Sequence, residues 1–259
     1  MQEYPADRKR LYQERLFHET QAQNRASRPG FLLSLVQPDE EYLNHASWVR
    51  PGMDALGDIE DKTVLDWGCG HGMASISMAR RGAVVFSLDL SNGYCKETLA
   101  RANANEFLKQ IHPIQGDACR LPFKNECFDG IWGNAILHHL ATEKAAVELH
   151  RVLKPKGIMV LCDPWQGSTL VRWIRNHVPY PGKDRTQDEQ PLNEEALAAF
   201  RSVFPNIEIS FWDIFGALNR FISLGPFSNP IRNLDRFLIK KSPGFARTAR
   251  YVMIKAMKN

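Results

Sequence analysis

Thr63-Val64-Leu65-Asp66-Trp67-Gly68-Cys69-Gly70-His71-Gly72 is an apolar run that ends in an acid, followed by three glycines at alternate positions. A short buried run of this kind predicts a parallel strand, and the glycines predict a tight turn into a helix N-terminus. Glycine lets the backbone turn sharply and lets a ligand approach main-chain atoms. Asp66 then stands at the carboxyl end of the strand, the edge where open α/β sheets bind ligands. The spacing is G-x-G-x-G, whereas the dinucleotide fingerprint needs its third glycine one residue later. A carboxylate two residues before the first glycine also suits a positively charged ligand better than a pyrophosphate. A strand–helix turn with no ligand would satisfy the same residues, so the neighbouring stretches decide.

Met73 to Arg81 reads as a helix closed by Gly82. Residues 83–89 read as a second strand that also ends in an acid, Asp89, where a carboxylate can accept two hydrogen bonds from ribose hydroxyls. Ser91-Asn92 caps a helix over about 93–108. Residues 111–118 form a third strand with Asp117 and Ala118 at its end, and Phe128 to Asn134 a fourth, followed by Ala135-Ile136-Leu137-His138-His139-Leu140. Thr142 starts a helix to Leu153, and Lys154-Pro155-Lys156-Gly157 turns the chain into a fifth strand, Ile158 to Cys162. Strands alternating with helices over residues 63–163 predict an α/β fold with a doubly wound, mainly parallel sheet.

V-L-D-x-G-C-G-x-G, the acid at Asp89, G-D-A at 116–118, H-H-L at 138–140 and R-V-L-K-P-K-G at 151–157 resemble, in order and spacing, the motifs of class I S-adenosylmethionine-dependent methyltransferases. Within that class they are similar to the small-molecule group that includes ubiquinone and menaquinone C-methyltransferases. The resemblance covers about 100 residues, and the family more often has two glycines where Lys156-Gly157 stands. It implies a seven-stranded sheet with the last strand antiparallel. It also implies S-adenosyl-L-methionine as cofactor, S-adenosyl-L-homocysteine as product, and a small-molecule acceptor. Asp66, Gly68, Cys69, Gly70 and Gly72 would hold the methionine half, Asp89 with Leu90 the ribose, Asp117 with Ala118 the adenine, and Asn134 the methionyl amine or ribose edge. His138 and His139 are the candidate bases for a hydroxyl acceptor, and a structural role fits either as well. His177 and Tyr180 are weaker candidates. Nothing matches the aspartates of the catechol-type metal site, so no metal is expected. Asn134 is followed by Ala135-Ile136-Leu137 and not by the motifs of the DNA-modifying enzymes, so DNA is not expected as substrate. A tRNA-modifying enzyme and a non-catalytic cofactor-binding scaffold remain the alternatives.

The chain of 259 residues is read as a single domain. Residues 1–57 are a helical lid or packing segment, 58–165 the cofactor-binding core, and 166–191 and 213–249 substrate-side cap segments. Within the first segment, 5–27 reads as an amphipathic helix ended by Arg28-Pro29-Gly30, and a second helix spans about 39–57 with Asp39 as its cap. Asn193 caps a helix to about Val203, and Ile207 to Trp212 is the sixth strand. A helical insertion follows, with one helix near 214–222 and another opened by Asn229-Pro230 that aligns Ile231, Leu234 and Leu238 before the last strand, Arg250 to Lys258.

Composition is that of an ordinary globular protein, with 44% hydrophobic and 24% charged residues. No apolar run approaches the ~20 residues of a membrane span, and Met1 to Pro5 starts no signal peptide. Five scattered cysteines without a CxxC pair point to reduced thiols, the cytoplasm and no zinc site. Residues 230–259 carry eight Lys/Arg against Asp235, a net +7, so the remainder of the +4 chain is −3. That basic, aromatic end reads as a solvated face, with peripheral contact to an anionic membrane as the second reading and RNA less favoured.

Overall fold

A computed structural model describes residues 5–36, 38–168, 173, 191–215 and 228–259. Its strands are β1 (Thr63–Trp67), β2 (Val84–Asp89), β3 (Ile111–Gln115), β4 (Phe128–Asn134), β5 (Leu153–Pro164), β6 (Ile207–Trp212) and β7 (Tyr251–Met257). They form one seven-stranded sheet in the order β3-β2-β1-β4-β5-β7-β6. β1 to β5 pair in parallel, and β7 runs antiparallel between β5 and β6, as the resemblance implies. The chain reverses its winding direction after β3, and the gap between β1 and β4 is the switch point where such sheets bind ligands.

Side chains alternate across the sheet. Leu65 and Trp67 join one buried cluster with Ile131, Leu149 and Phe200, and Val64, Val85, Trp132 and Val160 join another with Met53, Ile76 and Met78. β1 and β4 are therefore buried on both faces, which is why they read as continuous apolar runs. The helices over these faces include α4 (Met73–Arg80), α5 (Asn92–Ala104), α6 (Thr142–Val152) and α7 (Glu194–Val203). Ser91 and Asn193 cap α5 and α7, their side chains accepting from the N–H of Tyr94 and of Ala196, as the sequence predicts.

The N-terminal segment differs in detail from its reading. α1 spans Pro5–Ala26, but the expected helix over 39–57 is split into α2 (Asp39–Leu43) and α3 (Val49–Ala55). Pro38, not Asp39, occupies the cap position of α2. Asn44 to Trp48 separate the two helices. Asn44 donates to Glu40 at 2.7 Å and Ser47 to Asp213 at 2.6 Å. The break lets Trp48 stack on Tyr251, with ring centroids 3.7 Å apart.

The expected helix near 214–222 lies mostly outside the described residues, as do His177, Tyr180 and the charged run 182–190. The later helix, α8 (Ser228–Lys241), is present and is followed by a short turn of helix, α9 (Pro243–Ala246). Its inner face is not the expected one. Leu234 is exposed, and Asp235 is buried instead, accepting the backbone N–H of Ile214 and Phe215 at 3.0 and 2.9 Å. A hydrophobicity pattern cannot foresee a carboxylate buried to satisfy two backbone donors. No helix of the described residues is long and apolar enough to cross a membrane.

Candidate functional site

The parallel register brings Trp67, Leu88 and Gly133 level, so that Asp89 and Asn134, the next residues of β2 and β4, emerge together at the carboxyl edge. A cavity opens there. Gly68, Gly70, His71, Leu88, Asp89 and Leu90 form one side, and Asp117, Ala118, Asn134, Ile136 and His139 continue its wall. Its roof is α1, through Leu11, Glu14, His18 and Gln21. These residues follow one helical face at spacings of 3, 4 and 3.

The glycine turn is tied to β2 by three donors. Gly68 and Cys69 donate their N–H to Leu88 O at 2.9 and 3.0 Å, and Gly70 donates to Asp89 Oδ2 at 2.9 Å. Asp89 Oδ1 accepts from Ser91 N at 2.9 Å. A carboxylate offers about four acceptor sites, so acceptor capacity remains for a ligand. Burial pushes the Asp89 carboxyl upward, opposed by the N–H groups of Ser91 and Gly70. Gly70 has φ +49°, and a Cβ placed there would meet no protein atom within 4 Å. The turn is thus a cradle of backbone around space that a ligand can fill.

The residues singled out in the sequence separate into two sets. Gly68, Gly70, Asp89, Leu90, Asp117, Ala118, Asn134 and His139 line the cavity, whereas Asp66, Cys69, Gly72 and His138 do not. Asp66 faces α4 and accepts from Ser75 Oγ at 2.5 Å, with Ser75 in turn 2.8 Å from Ser87 Oγ. Burial raises the Asp66 carboxyl to about 7, opposed by the Ser75 hydrogen bond and reinforced by the Asp89 charge. Cys69 points towards Gly70 O and Thr98, and burial keeps its thiol protonated. Gly72 precedes α4 at φ +80°.

Asp117 Oδ1 accepts from Cys119 N at 2.8 Å, which closes the turn after β3. Ala118 O accepts the indole N–H of Trp67 at 3.1 Å, fixing that turn to β1. Asn134 Oδ1 accepts from Trp48 Nε1 at 3.2 Å, so α3 positions its amide. Ala135 follows in the left-handed region at φ +58°, a strained conformation that turns the chain across the mouth of the sheet.

The two neighbouring histidines have different surroundings. His138 is buried, with Nδ1 2.7 Å from Asp163 Oδ1. His139 lies against it, ring centroids 4.0 Å apart and tilted by 40°, and reaches the cavity, where Nδ1 lies 3.6 Å from Glu14 Oε2 of α1. Among the roof residues, His18 is raised in pKa: burial opposes protonation, but the carboxylates of Glu14 and Asp89 outweigh it.

α1 is latched at two points. Glu19 Oε2 accepts from Ser91 Oγ at 2.8 Å and Gly93 N at 2.9 Å, a carboxylate on the N-terminus of α5. Arg25 pairs with buried Glu97 at 2.9 Å, and buried Arg101 shares that carboxylate while donating to His71 O and Ser34 O at 2.8 and 2.7 Å. Their spacing in sequence gave no sign of this network. His71 sits against it; burial and the neighbouring Arg25 and Arg101 charges hold its imidazole neutral, lowering it to about 3.

Comparison with known proteins agrees with this fold. The family described as a methyltransferase domain matches residues 65–161, from β1 to β5. A demethylmenaquinone methyltransferase of Beutenbergia cavernae is 33% identical over 123 residues, 46% of this chain and 49% of that one. A malonyl-[acyl-carrier protein] O-methyltransferase of Herminiimonas arsenicoxydans is 34% identical over 115 residues, 44% of this chain and 41% of that one. The matches thus span about half the length of the curated relatives. Among solved structures, geranyl diphosphate C-methyltransferase from Streptomyces coelicolor A3(2), in complex with Mg2+, geranyl diphosphate and S-adenosyl-L-homocysteine, superposes with a TM-score of 0.62 at 19% identity. That superposition covers 90% of this chain and 85% of that one. It establishes the shared fold.

Proposed function

We propose that this chain, whose residues 65–161 match the methyltransferase-domain family, transfers a methyl group from S-adenosylmethionine to a small-molecule acceptor. The observation that carries this reading is the joint placement of the Gly70 cradle, the Asp89 carboxylate and the Asp117–Ala118 turn in one cavity. The residues fit the cofactor. Asp89 would accept both ribose hydroxyls, Asp117 and the Ala118 N–H would read the adenine edge, and Gly68, Gly70 and Asn134 would hold the methionine half. Bound there, the cofactor supplies an electrophilic methyl carbon on a sulfonium. What the chain supplies is alignment and exclusion of water, which account for much of the acceleration of an in-line displacement.

Asp66 and His138 support this site from behind its wall. The titrating Asp66 carboxyl feels the charge of Asp89, which lines the cavity, and a cationic ligand bound there would favour its charged form. Binding should therefore expel protons, and affinity should rise with pH through about 7, where Asp66 ionises in the free protein. Calorimetry in two buffers of different ionisation enthalpy reads the protons released. Asp66→Asn should abolish that release. Proton release that is zero in wild type, or unchanged in the variant, would remove Asp66 from the linkage.

The acceptor enters beside Leu11, Ile136, His139 and Leu140, a mostly apolar wall with one imidazole. This suits a small molecule with an apolar body, such as the quinone, isoprenoid or acyl substrates named for the similar proteins. For a hydroxyl acceptor His139 is the group placed to take the proton, with His138 and Asp163 fixing its ring from behind. His139→Ala should lower turnover by about 100-fold or more and leave cofactor affinity within about threefold. Transfer of labelled methyl to a panel of quinols, isoprenoid diphosphates and acyl carboxylates tests the function. Cofactor bound without transfer to any acceptor would favour a scaffold.

Two further readings belong to the same proposal. All five cysteines are free, which suits a reducing cytoplasm. α8 exposes Leu234 and Phe237 beside Arg236, Lys240 and Lys241, a composition suited to an anionic bilayer surface. Sedimentation with phosphatidylserine vesicles should show binding that fades between low and high salt. Equal sedimentation with neutral vesicles would end that reading.

A further inference from the structure

The roof helix and the turn after β4 bring three metal-ligating side chains to one point. Glu14 Oε2 lies 3.5 Å from His18 Nε2 and 3.6 Å from His139 Nδ1. One donor atom from each residue lies within 4.8 Å of the other two. Those separations exceed the ~2.7–2.9 Å of a charge-assisted hydrogen bond. They match neighbouring donors around an ion, because bonds of about 2.0–2.2 Å in a tetrahedron set donors about 3.4 Å apart. His139 Nδ1 is buried and makes no hydrogen bond, which is costly for an imidazole nitrogen. His18 Nδ1 lies 3.3 Å from Gln21 Oε1. A proton donated there leaves the Nε2 lone pair facing Glu14, the outer hydrogen bond by which metal-binding histidines are oriented.

We propose that Glu14, His18 and His139 bind one divalent first-row transition ion, of the zinc, cobalt or iron class. Two imidazoles and a carboxylate favour such ions over magnesium or calcium, which prefer all-oxygen shells. All three residues line the cavity, so the remaining coordination positions open into it. The ion would fasten α1 to the turn after β4 and make an acceptor hydroxyl more acidic as a Lewis acid. With the ion bound, His139 Nδ1 is a ligand, and the ion takes over the activation otherwise assigned to that imidazole. The sequence expectation of no metal rested on cysteine spacing and on catechol-type aspartates. Neither tests a ligand set divided between residues 14–18 and residue 139.

The site stands on its own geometry and does not require methyl transfer. The full chain, stripped with chelator and free of cofactor, is titrated with Co2+ and followed by visible absorption, then with Zn2+ by calorimetry. One Co2+ per chain is expected, with a ligand-field spectrum that Zn2+ abolishes and an affinity of ~10 μM or tighter. Glu14→Gln and His18→Ala should each weaken Zn2+ binding at least tenfold, with unchanged circular dichroism. His150→Ala, which lies outside the cluster, should not. Absence of a saturable Co2+ spectrum, or an affinity untouched by both substitutions, overturns the proposal. A parallel S-adenosylmethionine titration separates the two readings, since either ligand can bind while the other fails.

Discussion

Asp89→Ala should weaken S-adenosylmethionine binding by at least about 100-fold, since two charge-assisted hydrogen bonds are worth about 1.5–3 kcal/mol each. The carboxylate does two things at once. It accepts Gly70 N and Ser91 N at 2.9 Å each, and it presents its remaining acceptor positions to the cavity. Removing it therefore unpins the glycine turn as well as the ribose contact. The core strands keep their ladders, and circular dichroism should show a folded protein. Asp89→Asn separates the two effects, because the amide preserves size and one acceptor oxygen while losing the charge. It should fall between wild type and Asp89→Ala. Cofactor affinity within threefold of wild type for Asp89→Ala would sink the ribose assignment.

Gly72→Ala should be among the most destabilising single-methyl changes in the chain. The residue has φ +80°, and an added Cβ would lie 2.7 Å from Thr98 Oγ1, 2.8 Å from Thr98 Cγ2 and 3.0 Å from the Thr98 backbone Cα. Moving the Thr98 Cα means moving α5. The left-handed conformation and the overpacking together should cost about 2–5 kcal/mol. Gly70→Ala is the control. It is also left-handed, at φ +49°, but its Cβ meets nothing within 4 Å, so only the conformational cost of about 1–2 kcal/mol remains. Urea unfolding of both variants decides the matter. Equal losses would mean that contact with α5 contributes nothing to the requirement for glycine at 72.

The parts of the site that were legible in the sequence are those carried by backbone. Residues 63–72, Asp89 and Asn134 sit where strands end, and strand ends follow from apolar runs and turn residues. The register then brings them together without further information. Side-chain direction was less accessible. Asp66 belongs to the same run, yet the alternation of β1 turns it towards Ser75 and away from the cavity. His138 and His139 are adjacent, and only the turn geometry sends one to Asp163 and the other to the cavity. The roof depended on contacts between distant segments. Glu19 on the α5 N-terminus and Arg25 on Glu97 fix α1 in place, and no local pattern in residues 5–26 announces either partner. The α8 face was misjudged for a related reason: Asp235 is buried by the two backbone donors it satisfies.

The most direct measurement is isothermal titration of the purified chain with S-adenosylmethionine and, separately, with nicotinamide adenine dinucleotide. The expected result is one S-adenosylmethionine per chain at ~1–100 μM and no heat from the dinucleotide. Dinucleotide binding in place of S-adenosylmethionine, or no binding of S-adenosylmethionine up to millimolar concentration, would contradict the assignment of the cavity between β1, β2 and β4.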